Sequence, residues 1–199
     1  MKEKIDRNGM TEEEFLRQYN PDKYPKPALT ADMIVLRKMP DGSLRILLIR
    51  RGGHPYLGRW ALPGGFANKN EAAEQTAARE LEEETGLRGL QIRLVGFYSA
   101  PGRDPRGWTV SAAYGAMIPE ERAEEVRAGD DADQAAWFRA EVDPETGSLQ
   151  LVQTGAETEA AAAGGALKKL ARDDRGCLLA FDHDQIVRDA LQVLCGKTD

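Results

Sequence analysis

Glu80, Glu83 and Glu84 follow a Pro63-Gly64-Gly65 turn at i, i+3 and i+4 of one stretch, and this placement constrains the fold more than any other feature of the chain. On a helix those spacings bring three carboxylates onto one face. Ala73, Ala77 and Leu81 recur every four residues along a neighbouring line, which gives the same helix an apolar stripe to bury against a sheet. Like charges so close repel. A divalent cation removes the repulsion, and hard carboxylate oxygens suit magnesium or manganese. Asn70 is the expected N-cap, and Gly86 the expected left-handed residue past the helix end. An acidic helix in isolation is usually a solvated face; the residues around this one set it apart.

Gly65, five residues, Glu71, seven residues, then Arg79-Glu80-Leu81-Glu82-Glu83-Glu84-Thr85-Gly86-Leu87 is a long pattern with fixed spacing. It resembles the Nudix box, the signature of the Nudix hydrolase superfamily. The resemblance implies an α/β class fold (α+β in its segregated helices), the Nudix α/β/α sandwich with a mixed sheet. It also implies metal-dependent cleavage of a diphosphate linked to a nucleoside. The segments His54–Phe66, Gly102–Ser111, Gly129-Asp130-Asp131-Ala132 ahead of Trp137-Phe138, and Ala180–Ile186 are similar to the ADP-ribose pyrophosphatase-like branch and to Nudix-type regulators of NAD metabolism.

What the resemblance implies for individual residues is specific. Glu80, Glu84 and the Gly64 carbonyl ligate the metal, with Glu83 doing so directly or through water; the ion is Mg2+ or Mn2+. Arg79 orients a box carboxylate and Glu71 braces the loop-helix-loop. The general base comes from a loop outside the box, where Asp131 is the candidate beside Asp130, Glu124 and Glu125. Arg59, Arg103 and Arg106 are the candidate substrate-binding residues. Planar guanidinium groups suit phosphate oxygens; the competing reading is that Arg103 or Arg106 pairs with Asp104 or another carboxylate to lock its loop. His183, between Asp182 and Asp184 at a helix start, reads as structural, and Tyr56 and Trp60 read as packing residues before stacking ones. The implied reaction is ADP-ribose to AMP and ribose 5-phosphate. The alternatives are a module that senses ADP-ribose or a related nucleotide, and a nucleoside triphosphate pyrophosphatase. A homodimer is expected from the same resemblance.

The length of 199 residues suits a single domain, 1–199, with an N-terminal extension over about 1–26 and an insertion over about 143–176. A net charge of −6 and the lack of a Lys/Arg run speak against nucleic acid as partner. Cys177 and Cys195 lack metal-ligand spacing and read as thiols of a reducing cytoplasm. No apolar run is long enough for a membrane. The pattern predicts a capped helix from Thr11 to Tyr19 and a hairpin of Met33–Arg37 with Leu44–Arg50 around Pro40-Asp41-Gly42-Ser43. Further strands are expected at Trp60–Leu62, Leu90–Ser99, Trp108–Ile118 and Ala135–Phe138. Helices are expected at Thr158–Ala171 and Asp184–Leu194.

Overall fold

The computed structural model describes residues 4–127, 132–143, 145–153 and 169–196. The centre of the molecule is β1 (Ala28–Lys38), whose residues from Thr30 to Leu36 are all buried. A strand covered on both faces has no reason to alternate polar and apolar side chains, and Met33-Ile34-Val35-Leu36 does not. Two partners share one of its edges. The first half pairs antiparallel with β4 (Gly64–Phe66), and the second half pairs antiparallel with β2 (Leu44–Arg51). β3 (Trp60–Ala61) continues along β2. On the other edge β1 runs parallel to β6 (Thr109–Met117). With β5 (Arg93–Tyr98), β7 (Ala132–Val142) and β8 (Leu149–Gln153), the path across the sheet is β5-β6-β1-β2-β7-β8.

Each face of this mixed sheet carries a helix. α2 (Ala73–Thr85) buries Ala77 and Leu81 against Ala31, Met33, Val35 and Leu47. α3 (His183–Cys195) buries Ile186, Val187 and Ala190 against Ile34, Leu36, Leu48 and Phe138. Alternate residues of β1 thus serve opposite cores, as a strand's two-residue period requires. The expected α/β/α sandwich is the observed one.

α1 (Glu12–Gln18) forms where its capping box predicts: Thr11 Oγ1 accepts from Glu14 N at 3.2 Å, and Glu14 Oε2 accepts from Thr11 N at 2.9 Å. It buries none of its own residues. α2 begins later than expected. Asn70 adopts φ 67 inside a turn closed by Glu71 N donating to the Asn68 carbonyl. The N-cap is Ala72, whose N–H is taken by the Gln75 side chain at 3.0 Å. Gly86 ends the helix with φ 76 as predicted. β4 and β8 were not expected; each is short and apolar only in part, so pairing rather than pattern creates them. Most of the helix expected over Thr158–Ala171 lies outside the described residues, while Lys169 forms an isolated bridge to Val152.

Candidate active site

The turn from β3 into β4 places Leu62, Pro63, Gly64 and Gly65 directly over α2. Its position is fixed from two sides. Met33 N donates to the Pro63 carbonyl at 2.8 Å from the sheet. From α3, the buried His183 ring accepts the Leu62 N–H on Nδ1 at 2.9 Å. That bond leaves the ring proton on Nε2, which faces Asp32 Oδ1 at 3.7 Å. Ser111 Oγ donates to the other Asp32 oxygen. Burial, ahead of every charge near it, holds the His183 pKa below its usual value, so the ring is a neutral spacer between turn and strand.

The two glycines are required by proximity. A Cβ on Gly64 would run into the Ala31 carbonyl and Asp32, and one on Gly65 would overlap the Glu80 carboxylate. The turn therefore lies within contact distance of the acidic face of α2. Gly64 N donates to Glu84 Oε2 at 2.8 Å. Glu84 is only 7% exposed, and burial pushes its carboxyl up to about 8, despite that hydrogen bond and with the Glu80 charge adding to the rise. Burial also raises Glu80.

Arg79 binds the remaining box residues together. Nε and Nη2 grip both Glu71 oxygens at 2.8 and 3.1 Å, Nη2 also reaches the Phe66 carbonyl at 3.1 Å, and Nη1 holds Glu80 at 2.7 Å and Glu83 at 2.9 Å. The paired guanidinium holds Glu71 down at about 2. Glu71 further accepts from Asn68 N and the Thr76 hydroxyl, so it closes the loop ahead of the helix. Glu83 lies on the outer side with half its side chain exposed. Among the described residues no three acidic or histidine side chains converge into one coordination sphere; Arg79 draws Glu80 and Glu83 toward itself.

A cleft of about 600 Å³ opens over this face, lined by Gly64, Gly65, Arg79, Glu80 and Glu84 on one side and by Arg51, His54 and Arg106 on another. A smaller cavity beside it is lined by Asp32, Arg51, Arg103, Arg106, Phe181 and His183. Of the arginines singled out in the sequence, Arg106 reaches both cavities and Arg103 the smaller one. Both are held by carboxylates. Arg103 binds Asp182 through Nε at 2.8 Å and Nη2 at 2.6 Å. Arg106 binds buried Asp104 through Nε at 3.0 Å and Nη2 at 2.7 Å. The loop-locking alternative describes these two contacts. Arg59 lies elsewhere: it joins Asp173 at 2.7 Å and the carbonyls of Cys177 and Leu179, and borders a different cavity. Its position beside β3 turns it toward the 173–179 segment and away from the cleft. Asp130 and Asp131 lie outside the described residues, and exposed Glu125 pairs with Arg122 at 2.8 Å. Trp60 packs on Phe138 in the core, and Tyr56 on Phe181.

Sequence reading missed Arg51, Asp32 and Phe181. Arg50 and Arg51 are adjacent at the end of a strand, so one of them had to face each side. Which one meets the cleft depends on register with β3 and β7, and no local pattern carries that.

The NUDIX domain family model matches residues 26–152. The chain is 41% identical over 115 residues to an ADP-ribose pyrophosphatase of Methanocaldococcus jannaschii, a match covering 58% of this chain and 63% of that protein. It is 39% identical over 113 residues to the ADPR responsive transcriptional repressor NtrR of Acinetobacter baylyi, covering 56% of this chain and 45% of the repressor. The matched stretch thus spans less than two thirds of either relative. Among solved structures, a MutT/nudix family protein from Enterococcus faecalis superposes with a TM-score of 0.73 at 35% identity, over 94% of this chain and 71% of the other. The NUDIX domain of Shewanella oneidensis NrtR, in complex with ADP ribose, gives 0.65 at 28% identity over 93% and 99%.

Proposed function

The chain belongs to the NUDIX family, and from that premise we propose that it is a divalent-metal-dependent hydrolase of a nucleoside diphosphate linked to a second moiety, with ADP-ribose as the foremost substrate and AMP and ribose 5-phosphate as products. The observation that carries the reading is the buried Glu84 carboxylate beside Glu80, under the Gly64-Gly65 turn and open to the cleft. Two carboxylates at one site, one of them almost fully buried, need a counter-charge. Their oxygens are hard donors, and the residues present suit Mg2+ or Mn2+. Glu80, Glu84, the Gly64 carbonyl and Glu83 would hold the ion. Bound there, it would acidify a water and neutralise charge on the diphosphate.

The chain's own residues do the rest. Arg79 fixes Glu80 and Glu83 while Glu71 fixes Arg79, so the carboxylates keep their places when the anionic substrate arrives. His183 and Met33 N hold the turn that faces them. Glu84 itself lies 7% exposed beneath the Gly64-Gly65 turn. Asp131 remains our candidate for the base that takes the proton of the attacking water. The homodimer and the cytoplasm belong to the same proposal.

Release of AMP from ADP-ribose in magnesium, abolished by Glu84→Gln, tests the reading. A second reading has its own support, because a repressor and an ADP-ribose-bound domain are among the similar proteins. It is a sensor that binds ADP-ribose and leaves it intact. Tight binding with no AMP released, together with binding to operator DNA, would decide for the sensor. Intact box carboxylates, Glu71, Glu80 and Glu83 held by Arg79 and Glu84 by the Gly64 N–H, support the hydrolase.

A further inference from the structure

We propose that the cavity bordered by Arg59 is a second ligand site, on the opposite face of β2 from the cleft, and that it takes a phosphate monoester of mononucleotide size. The hydrolase reading uses neither this cavity nor Arg59.

Alternate residues of a strand face opposite ways. Ile49 and Arg51 line the cleft, and Arg50 between them lines a cavity of about 370 Å³ on the other face. Trp60 and Gln134 stand beside Arg50 in one row across β3, β2 and β7, and Gln153 of β8 lies opposite Phe138. These residues form the floor. The wall is built from Lys169, Leu170, Ala171 and Leu178. It is fastened at two points. Leu170 N donates to the Leu151 carbonyl at 2.8 Å. Arg59, one residue ahead of β3, donates to Asp173 and to the carbonyls of Cys177 and Leu179. Arg59 is thus the strut that joins floor to wall.

The charge of this cavity runs against that of the chain. The net charge is −6, yet Arg50, Arg59 and Lys169 line the cavity and, among the described residues, no Asp or Glu does. Asp173 neutralises Arg59 at 2.7 Å. Arg50 and Lys169 meet only neutral acceptors among the described residues. Arg50 Nε donates to the Gly58 carbonyl at 3.0 Å, and Lys169 Nζ to the Gln150 side-chain oxygen at 2.8 Å. Two cations at one cavity without a carboxylate fit a dianion. A carboxylate ligand brings one charge; a phosphate monoester, whose second ionisation lies at about 6, brings nearly two at neutral pH. The guanidinium fork of Arg50 matches two of its oxygens, and Lys169 supplies a point charge. Gln134 and Gln153 offer amides to the body of the ester, and Trp60, Leu170 and Leu178 offer it apolar surface. The volume is at the lower end of the range for ligand pockets and smaller than the cleft, which suits a mononucleotide. AMP is such an ester and a product of the proposed hydrolysis; the choice of probe rests on that reading, the site does not.

AMP is titrated calorimetrically into the full chain with EDTA present, so that no divalent ion holds it in the cleft. The titration is repeated with Arg50→Gln, Lys169→Gln and Arg106→Gln, each checked by thermal melting, and on wild type with adenosine and inorganic phosphate. Arg50 and Lys169 are exposed, so both variants are expected to fold. Each should weaken AMP binding by about 10-fold or more, the effect of one lost charged hydrogen bond. Arg106→Gln changes the cleft alone and is expected to bind AMP as wild type. Adenosine should not bind, and inorganic phosphate should bind more weakly than AMP. Wild-type affinity in either Arg50→Gln or Lys169→Gln overturns the proposal, as does loss of binding in Arg106→Gln or no binding of AMP to wild type at millimolar concentration. Adenosine as tight as AMP would remove the phosphate from the site, and inorganic phosphate as tight as AMP would remove the ester; either result overturns the assignment. The titration reads binding alone, so a wild-type chain that releases no AMP from ADP-ribose would sink the hydrolase and leave this site standing.

Discussion

Glu84 and Arg79 show how two residues of one helix, five positions apart, acquire opposite tasks. Glu84 is buried, accepts one backbone N–H and is pushed up to about 8. Arg79 reaches outward and gathers Glu71, Glu80 and Glu83. Glu84→Gln replaces a buried carboxyl by an amide of nearly equal volume, so the fold is expected to survive with little change in melting temperature. Turnover should fall by about 100-fold or more, the scale on which one preorganised charge contributes to a transition state. AMP release and thermal melting of the same preparation check both halves. Gly65→Ala acts on the same site from the turn. The added methyl displaces the Glu80 carboxylate, so Mn2+ affinity by electron paramagnetic resonance should weaken by about 10- to 100-fold, as when a metal ligand loses its support. An unaltered affinity would show that Glu80 is not a ligand. Glu80, Glu83 and Glu84 were legible in the sequence because helical periodicity sets their common face, and Glu71 and Arg79 through the resemblance to the Nudix box. The partners of Arg103 and Arg106 were legible only as alternatives, since Asp182 lies 79 residues from Arg103.

At the scale of elements, α2 is secured by its apolar stripe and its left-handed terminus. Leu81 is buried between helix and sheet. Leu81→Ala is expected to cost about 3 kcal/mol by chemical denaturation, through lost burial and the cavity left behind. Gly86→Ala, at φ 76, is expected to cost about 1 kcal/mol, since a Cβ there meets its own backbone. A Leu81→Ala variant as stable as wild type would mean that the helix is docked by other contacts. The start of α2 was misplaced by two residues because Asn70 is a good cap by composition but is used for a left-handed turn. That turn lets Glu71 reach both Asn68 and Arg79. Function decides the boundary, at the expense of a side-chain cap.

The whole molecule is held around its turn by a buried polar path that joins four separate parts of the chain, Leu62 to His183 to Asp32 to Ser111. Asp32, Asp182, Arg103 and Arg51 are the charges that face the imidazole. The folded pKa of His183 lies below 6.5, so the unfolded chain takes up this proton first as pH falls. The stability that comes from a neutral ring is complete above 6.5 and declines as pH drops from there toward the folded value. His183→Asn keeps an acceptor for the Leu62 N–H and removes the proton uptake. Subtracting its denaturation free energy from that of wild type between pH 8 and 5 should give a difference that moves against wild type on acidification. A flat difference would mean that folding leaves the imidazole pKa where it is in the unfolded chain.

The sequence by itself determined the acidic helix, the turn before it, both amphipathic faces and the sandwich that buries them, because each follows from spacing along a few consecutive turns or strands. It also named the Glu71, Arg79, Glu80, Glu83 and Glu84 set, whose members are close in space because they are close in the chain. Only the tertiary structure decided which of Arg50 and Arg51 meets the cleft and why His183 is neutral. Those outcomes depend on register between strands and on contacts between segments more than 75 residues apart. Local periodicity carries no record of such pairings; the packing of the two helices on one sheet creates them.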